Sequence, residues 1–323
     1  MNMNSDTLCR LIGKADRIAV CGHVNPDGDA VGSTLAFALG LEQLGKEATV
    51  LLPGRIDPIL GFMKGADRII TPEDEWEDVF DLLVCLDCSD ASRLGAMGGL
   101  MDGRPCVIID HHVTTSGTAD WMLVEPQAAA TGEILTDLLP EIGVTIDRDI
   151  ATCLLVAIEM DTGGLAFKNT SPRTLRAAAM LVERGADISS VHERLYASRR
   201  LGKTRLMARA LEHIKSICDD AVLTTVLYRK DFEESGATEV DSDGIINYLK
   251  EVDTCRICAM IRETQTGCKV SFRCVPGYDV ANVAAAFGGG GHVLAAGCSL
   301  EVSPDEAETM LLEKLAQTYR EGK

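Results

Sequence analysis

Two hydrophobic patterns alternate along the first half of this 323-residue chain. Short apolar runs at residues 17–21 (RIAVC), 47–52, 82–86 and 106–109 (CVII) predict buried strands. Longer stretches with helical spacing predict helices over 32–44, 131–139, 149–160 and 172–184, the last with proline in its first turn. Strand and helix in alternation predict an α/β domain built on a parallel sheet, spanning residues 1–189. A basic, helix-compatible stretch at 190–215 reads as a helical linker. Beyond it, strands at 221–229, 257–263 and 268–274 and helices at 280–287 and 304–319 predict a smaller mixed α/β domain over 216–323. No internal repeat or low-complexity tract interrupts the pattern.

Polar residues collect where the apolar elements stop. His23, Asp27 and Asp29 follow the first strand within HVNPDGDAVGS, where Pro26 and Gly28 predict a turn and Gly32-Ser33 the start of a helix. Asp87 follows a later strand, the triplet Asp110-His111-His112 follows the next, and Asp161 ends the helix IATCLLVAIEMD. A lone aspartate in such a place caps a helix or faces solvent. One cluster explains all four placements together, because ligands of open α/β sheets gather beyond the carboxyl ends of the strands. Carboxylates mixed with imidazoles suit Mn2+ or a similar divalent ion better than a thiolate-binding metal. The set is too large for one ion, and two ions sharing a carboxylate form the clamp that serves in-line phosphoryl displacement.

Composition narrows the partners. The chain has 46% hydrophobic and 25% charged residues, as expected of a globular protein, and no apolar run long enough to span a bilayer. Its first residues carry no export signal, so the expected location is the cytoplasm, away from membranes. A net charge of −18 argues against coating long duplex nucleic acid, whose affinity depends on Lys and Arg, yet permits a small anionic substrate. The 12 cysteines are scattered and predicted to be reduced. The two C-x-x-C pairs, Cys85/Cys88 and Cys255/Cys258, could ligate zinc, but Cys85 and Cys88 lie in or just beyond an apolar run and read as buried thiols.

In order along nearly the whole chain, HVNPDGDAVGS, CLDCSD, IDHH, EMDTGG and FGGGGHVLAAG resemble the motifs of the DHH phosphoesterase superfamily. The last resembles the DHH-associated C-terminal domain rather than that of family II pyrophosphatases. The compact length is most similar to the bifunctional oligoribonuclease and adenosine 3',5'-bisphosphate (pAp) phosphatase group. The resemblance implies a metal-binding catalytic domain followed by a substrate-binding domain. It implies that His23 and Asp27 hold one ion, that Asp29, His111 and Asp161 hold the other, and that Asp87 bridges them. His112 would face the substrate phosphate, oriented by Asp110. Gly288, Gly289, Gly290, Gly291 and His292 would form a substrate loop, with Arg273 as a phosphate clamp. Arg93 either reaches a phosphate or pairs with an acidic neighbour, and the basic stretch either lines a cleft between domains or is a solvated, internally paired face.

The implied cofactors are two divalent ions, Mn2+ first, with Mg2+ or Co2+ as substitutes. The implied substrates are short single-stranded RNA, hydrolysed to 5'-mononucleotides, and pAp, hydrolysed to AMP and phosphate; a homodimer is left open. Alternatives are a phosphodiesterase for cyclic or linear signalling dinucleotides (c-di-AMP, pApA, pGpG), a RecJ-like single-strand exonuclease, and a non-enzymatic nucleotide-binding module.

Overall fold

The computed structural model describes residues 3–113, 115 and 119–322. They form two compact units, Met1–Ser198 and Arg199–Lys323. In the first unit the elements run α1 (Ser5–Lys14), β1 (Arg17–Cys21), α2 (Gly28–Gln43), β2 (Glu47–Leu51), β3 (Leu82–Leu86), β4 (Cys106–Asp110) and β5 (Trp121–Val124). Helices α3 (Thr131–Glu141), α4 (Arg148–Thr162), α5 (Pro172–Glu183) and α6 (Ile188–His192) follow, and a π-helical turn, Glu193–Ala197, ends the unit.

Side chains that alternate along each strand sort the core onto two faces. Ile18, Val20, Val84, Leu86, Val107 and Ile109 pack with residues of α1 to α4. Ala19, Cys21, Leu83, Cys85, Cys106 and Ile108 face the other way, against Leu94, Met97 and Leu100 of the 3-10 segment Ala91–Met101. Both faces are covered, which is why these strands read as unbroken apolar runs. The sheet is parallel, with strand order β2-β1-β3-β4-β5. The direction of winding reverses between β1 and β3, which opens a crevice at their carboxyl ends. His23 and Asp87 stand there.

Helix α2 starts four residues earlier than its pattern predicts. The Asp27 carboxylate accepts the Asp29 and Ala30 N–H groups, so Asp27 is the N-cap and Gly28 opens the helix. Gly32 and Ser33 therefore lie inside it. A Cβ on Gly32 would stand 2.4 Å from the Cys153 carbonyl oxygen, so bare backbone there lets α4 close on α2. That approach carries Asp161, in the last turn of α4, toward Asp29.

The basic stretch is divided between the units. Its first part forms α6 and the π turn of the first unit. Its second part forms α7 (Leu201–Glu212), which buries Leu206 and Ala210 against Leu223, Leu227 and Ile246 of the second unit. The second unit continues with β6 (Lys215–Ile217), β7 (Val222–Leu227), α8 (Arg229–Ser235), α9 (Ile245–Lys250), β8 (Ile257–Glu263), β9 (Cys268–Cys274), α10 (Val280–Ala286), β10 (Gly290–His292), β11 (Ala295–Leu300) and α11 (Pro304–Glu321). Its mixed sheet has the order β10-β11-β9-β8-β7-β6, with β7 and β8 parallel and the other pairs antiparallel. Helices α10 and α11 cover one face. On the other face, α7 and α9 cover the β7 and β8 side. A cavity of about 470 Å³ opens over the rest, lined by Arg262, Lys269, Ser271, Gly288, Gly297 and Ser299 among others.

Candidate metal centre

Each donor side chain is aimed by the element it ends. His23 lies just beyond β1, and its Nδ1 is 2.7 Å from the Val24 carbonyl oxygen, so Nδ1–H donates and Nε2 is turned toward the carboxylates. That Nε2 is 3.3 Å from Asp87 and 3.7 Å from Asp27. Asp87 follows β3 in a left-handed conformation (φ 53°), strained for a residue with a side chain, and is 2% exposed. Its two oxygens face different imidazoles: Oδ2 approaches His23, and Oδ1 approaches His111 at 3.5 Å.

Asp29, in the first turn of α2, is wholly buried. Its carboxylate accepts the Thr131 N–H (2.6 Å), the Gly132 N–H (3.0 Å) and the Ser33 hydroxyl (2.9 Å). His111 places Nδ1 3.3 Å from the Ala128 carbonyl oxygen. Its Nε2 is 3.2 Å from Asp161, 3.5 Å from Asp87 and 3.7 Å from Asp29, yet it is buried and aligned with none of them as a hydrogen bond.

Asp110, the buried last residue of β4, plays a different part. It accepts the backbone N–H groups of His111 and His112, the Thr115 hydroxyl and the His112 Nδ1–H at 2.8 Å. All its accepting capacity is directed inward, which fixes the half-exposed His112 ring with Nε2 outermost.

Burial and crowding shape the charges. Burial lifts Asp29 well above the usual carboxylate range, and the charges of Asp87 and Asp161 lift it further. Asp161 is lifted mainly by burial. Burial opposes a charged imidazole at His23, but the Asp27 and Asp87 carboxylates outweigh it and carry its pKa up to about 10. At His111 burial acts the same way, and Asp161, Asp29 and Asp87 carry its pKa up to about 9. Asp110 is held below the usual range: burial pushes it up, but hydrogen bonds from His112 and Thr115 prevail.

Three donor groups each fit within 4.8 Å: His23, Asp27 and Asp87; Asp29, His111 and Asp161; and Asp87, Asp110, His111 and His112. A divalent cation suits this arrangement on two counts. The orphaned Nε2 of His111 is a ready ligand, and the mutually repelling carboxylates need an opposite charge. None of the three groups contains a cysteine. Cys21, Cys85, Cys88 and Cys106 are buried together in the apolar layer beneath the 3-10 segment, and Cys255 and Cys258 are buried in the second unit.

The remaining sequence-predicted residues are placed as follows. Arg93, half-buried beyond Asp87, accepts the Val24 N–H with its carbonyl, and its Nε is buried without a hydrogen bond. Arg273, Gly288 to Gly291 and His292 belong to the second unit. Arg273 pairs across the sheet with Ala295, and Ala295 with His292, so the three share one face. The glycine run is only partly a loop, because Gly290 and Gly291 belong to edge strand β10. A Cβ on Gly289 would stand 2.2 Å from the Gly297 carbonyl oxygen, and one on Gly291 2.6 Å from the Ala296 Cα. These two glycines serve strand packing, whereas Gly288 and Gly290 face open space.

The basic stretch is largely engaged within its own units. Arg194 lies over Phe62, Arg199 over Tyr248, Arg200 pairs with Asp241, and Arg209 pairs with Glu212 and Glu234. Sequence reasoning missed Thr131, Gly132 and Ser33, which hold Asp29. Thr131 and Gly132 stand at the end of the small-residue run AAATG at residues 128–132, and Gly132 there packs close to α4.

Residues 17–158 match the N-terminal domain of the DHH family, and residues 219–321 match the DHHA1 domain. The chain is 34% identical over 308 residues to the bifunctional oligoribonuclease and PAP phosphatase NrnA of Thermus thermophilus, covering 93% of this chain and 89% of that protein. It is 26% identical over 317 residues to the protein of the same name in Bacillus subtilis, covering 97% and 98%. An exopolyphosphatase-related protein from Bacteroides fragilis shares its fold, with a TM-score of 0.89 at 24% identity over 98% of this chain and 96% of that one. Among the described residues, no helix is long and apolar enough to cross a membrane. With both domain models matched in order and a third of the residues shared with a relative along nearly its full length, the chain belongs to the DHH family.

Proposed function

We propose that the protein is a two-metal phosphoesterase that hydrolyses short oligoribonucleotides to 5'-mononucleotides and pAp to AMP and phosphate. The observation that carries this reading is Asp87, whose two carboxylate oxygens face separate donor groups in a crevice at the strand ends. His23 and Asp27 would hold one divalent ion, and Asp29, His111 and Asp161 the other, with Asp87 shared; Mn2+ fits this mixture of imidazole and carboxylate. When bound, such a pair supplies Lewis acidity that acidifies water and neutralises phosphoryl oxygens.

The chain's own residues do the rest. Ser33, Thr131 and Gly132 fix the Asp29 carboxylate, so the donor set is ordered before substrate arrives. Asp110 binds the His112 Nδ1–H and, with Asp87, raises the pKa of the ring, favouring the imidazolium whose Nε2–H can donate to a phosphoryl oxygen as negative charge develops there. Arg93 and, in the second unit, Arg273 and His292 supply donors for further phosphates and for a base. The similarity to NrnA along nearly the whole chain supports the same substrate class.

The test offers purified protein and Mn2+ a diribonucleotide, pAp, longer RNA, cyclic dinucleotides and pyrophosphate side by side. Preferential turnover of the first two supports the reading. Preference for cyclic dinucleotides or long strands replaces its substrate, and no turnover of any points to a binding module.

A further inference from the structure

Among the described residues, only two exposed large apolar side chains lie within six positions of a metal-donor residue: Val113, next to His112, and Phe167, beyond Asp161. Phe167 is 60% exposed and enters no aromatic or cation-π pair among the described residues. Covering an open phenyl ring with a ligand removes apolar surface from water and is favourable.

The loop that carries it is tightly built. Helix α4 ends at Thr162, and Gly163, Gly164 and Leu165 follow in left-handed conformations (φ 56°, 68° and 65°). The turn is closed by the Ala166 and Phe167 N–H groups, which both donate to the Thr162 carbonyl at 2.9 and 2.8 Å. Asn169 then donates to the Asp161 carbonyl at 3.0 Å and to the Ala129 carbonyl at 3.2 Å, tying the loop to the backbone of a donor residue. A Cβ on Gly163 would stand 2.4 Å from the Phe167 ring, so one edge of the ring rests on bare backbone two residues from Asp161 while the remainder stays open. The ring thus rests on backbone two residues from Asp161, on a loop whose Asn169 also holds the Asp161 carbonyl.

We infer that Phe167 is a stacking platform for a nucleobase of the substrate, a specificity-determining residue that favours nucleotides over other phosphate esters. Stacking on a phenyl ring accepts any base, because every base offers a π face. The inference rests on the phosphoesterase reading for the position of the phosphate and names what lies beside it.

The test uses the full chain with Mn2+ and the variants Phe167→Ala and Phe167→Trp. Substrates are a diribonucleotide and the same molecule made abasic at each residue in turn. Phe167→Ala should raise KM for the intact dinucleotide roughly tenfold, with kcat and directly titrated Mn2+ affinity unchanged. For one of the two abasic substrates the variant and the parent should be equal, and Phe167→Trp should restore the parental KM. An equal loss on intact and both abasic substrates, or an unchanged KM, overturns the inference.

Binding of a non-hydrolysable phosphorothioate dinucleotide carrying 2-aminopurine separates this inference from the catalytic reading. Fluorescence quenching that depends on Phe167 supports the base site even if the parent hydrolyses nothing, in which case only the catalytic reading fails. Binding without that dependence overturns the base site itself.

Discussion

The two units handle charge in opposite ways. In the first, Asp29, Asp87 and Asp110 are buried at 0%, 2% and 0% exposure, and repulsion among the clustered carboxylates is tolerated. Each is held from behind by backbone N–H groups or hydroxyls. In the second, Arg262, Lys269, Arg273 and His292 stand on or beside an open sheet face, and the described residues there form no cluster of metal donors. A site that must stabilise a transition state needs fixed, costly groups, whereas one that holds a ligand can use solvated ones. Substitutions of the buried acidic groups of the first unit should therefore lower kcat, and those on the open face of the second should raise KM.

The sharpest break comes at Asp87. Asp87→Ala removes the carboxylate shared by two donor groups, and hydrolysis should fall by roughly a thousandfold or more while circular dichroism shows the fold retained. Activity within tenfold of the parent would end the comparison. Asp110→Asn comes next. The amide keeps the size of the side chain, but its NH2 group can no longer accept from His112, Thr115 and two backbone N–H groups at once. A drop in kcat of roughly a hundredfold is expected. If His112 acts through this contact, adding His112→Ala should cost little more. The smallest effect belongs to the second unit: Arg273→Ala should raise KM for pAp and dinucleotides by roughly tenfold with kcat nearly unchanged. A fall in kcat with constant KM there would erase the distinction between the units.

How much of this was legible in the sequence depends on where the information lies. Strands β1, β3, β8 and β9 were readable because each is an apolar or alternating run bounded by polar residues. Strand β5 was not predicted: it has four residues, all half-buried at the sheet edge, and no alternation to reveal it. Strand β10 was hidden because two of its three residues are glycine, which disfavours strands except where backbones must approach. The donors at the site were visible because each sits just past an apolar element. Their supports were not, since Thr131 and Gly132 reach Asp29 through backbone N–H groups that any residue but proline carries. The left-handed backbone of Asp87 likewise leaves no mark in composition.

The central claim is a paired metal centre that shares Asp87. Its most direct test is calorimetric titration of the metal-stripped full chain with Mn2+, with bound metal counted after gel filtration. The account predicts two ions per chain in the parent and at most one in Asp87→Ala. A single ion in the parent, or two bound with unchanged affinity in Asp87→Ala, would contradict it.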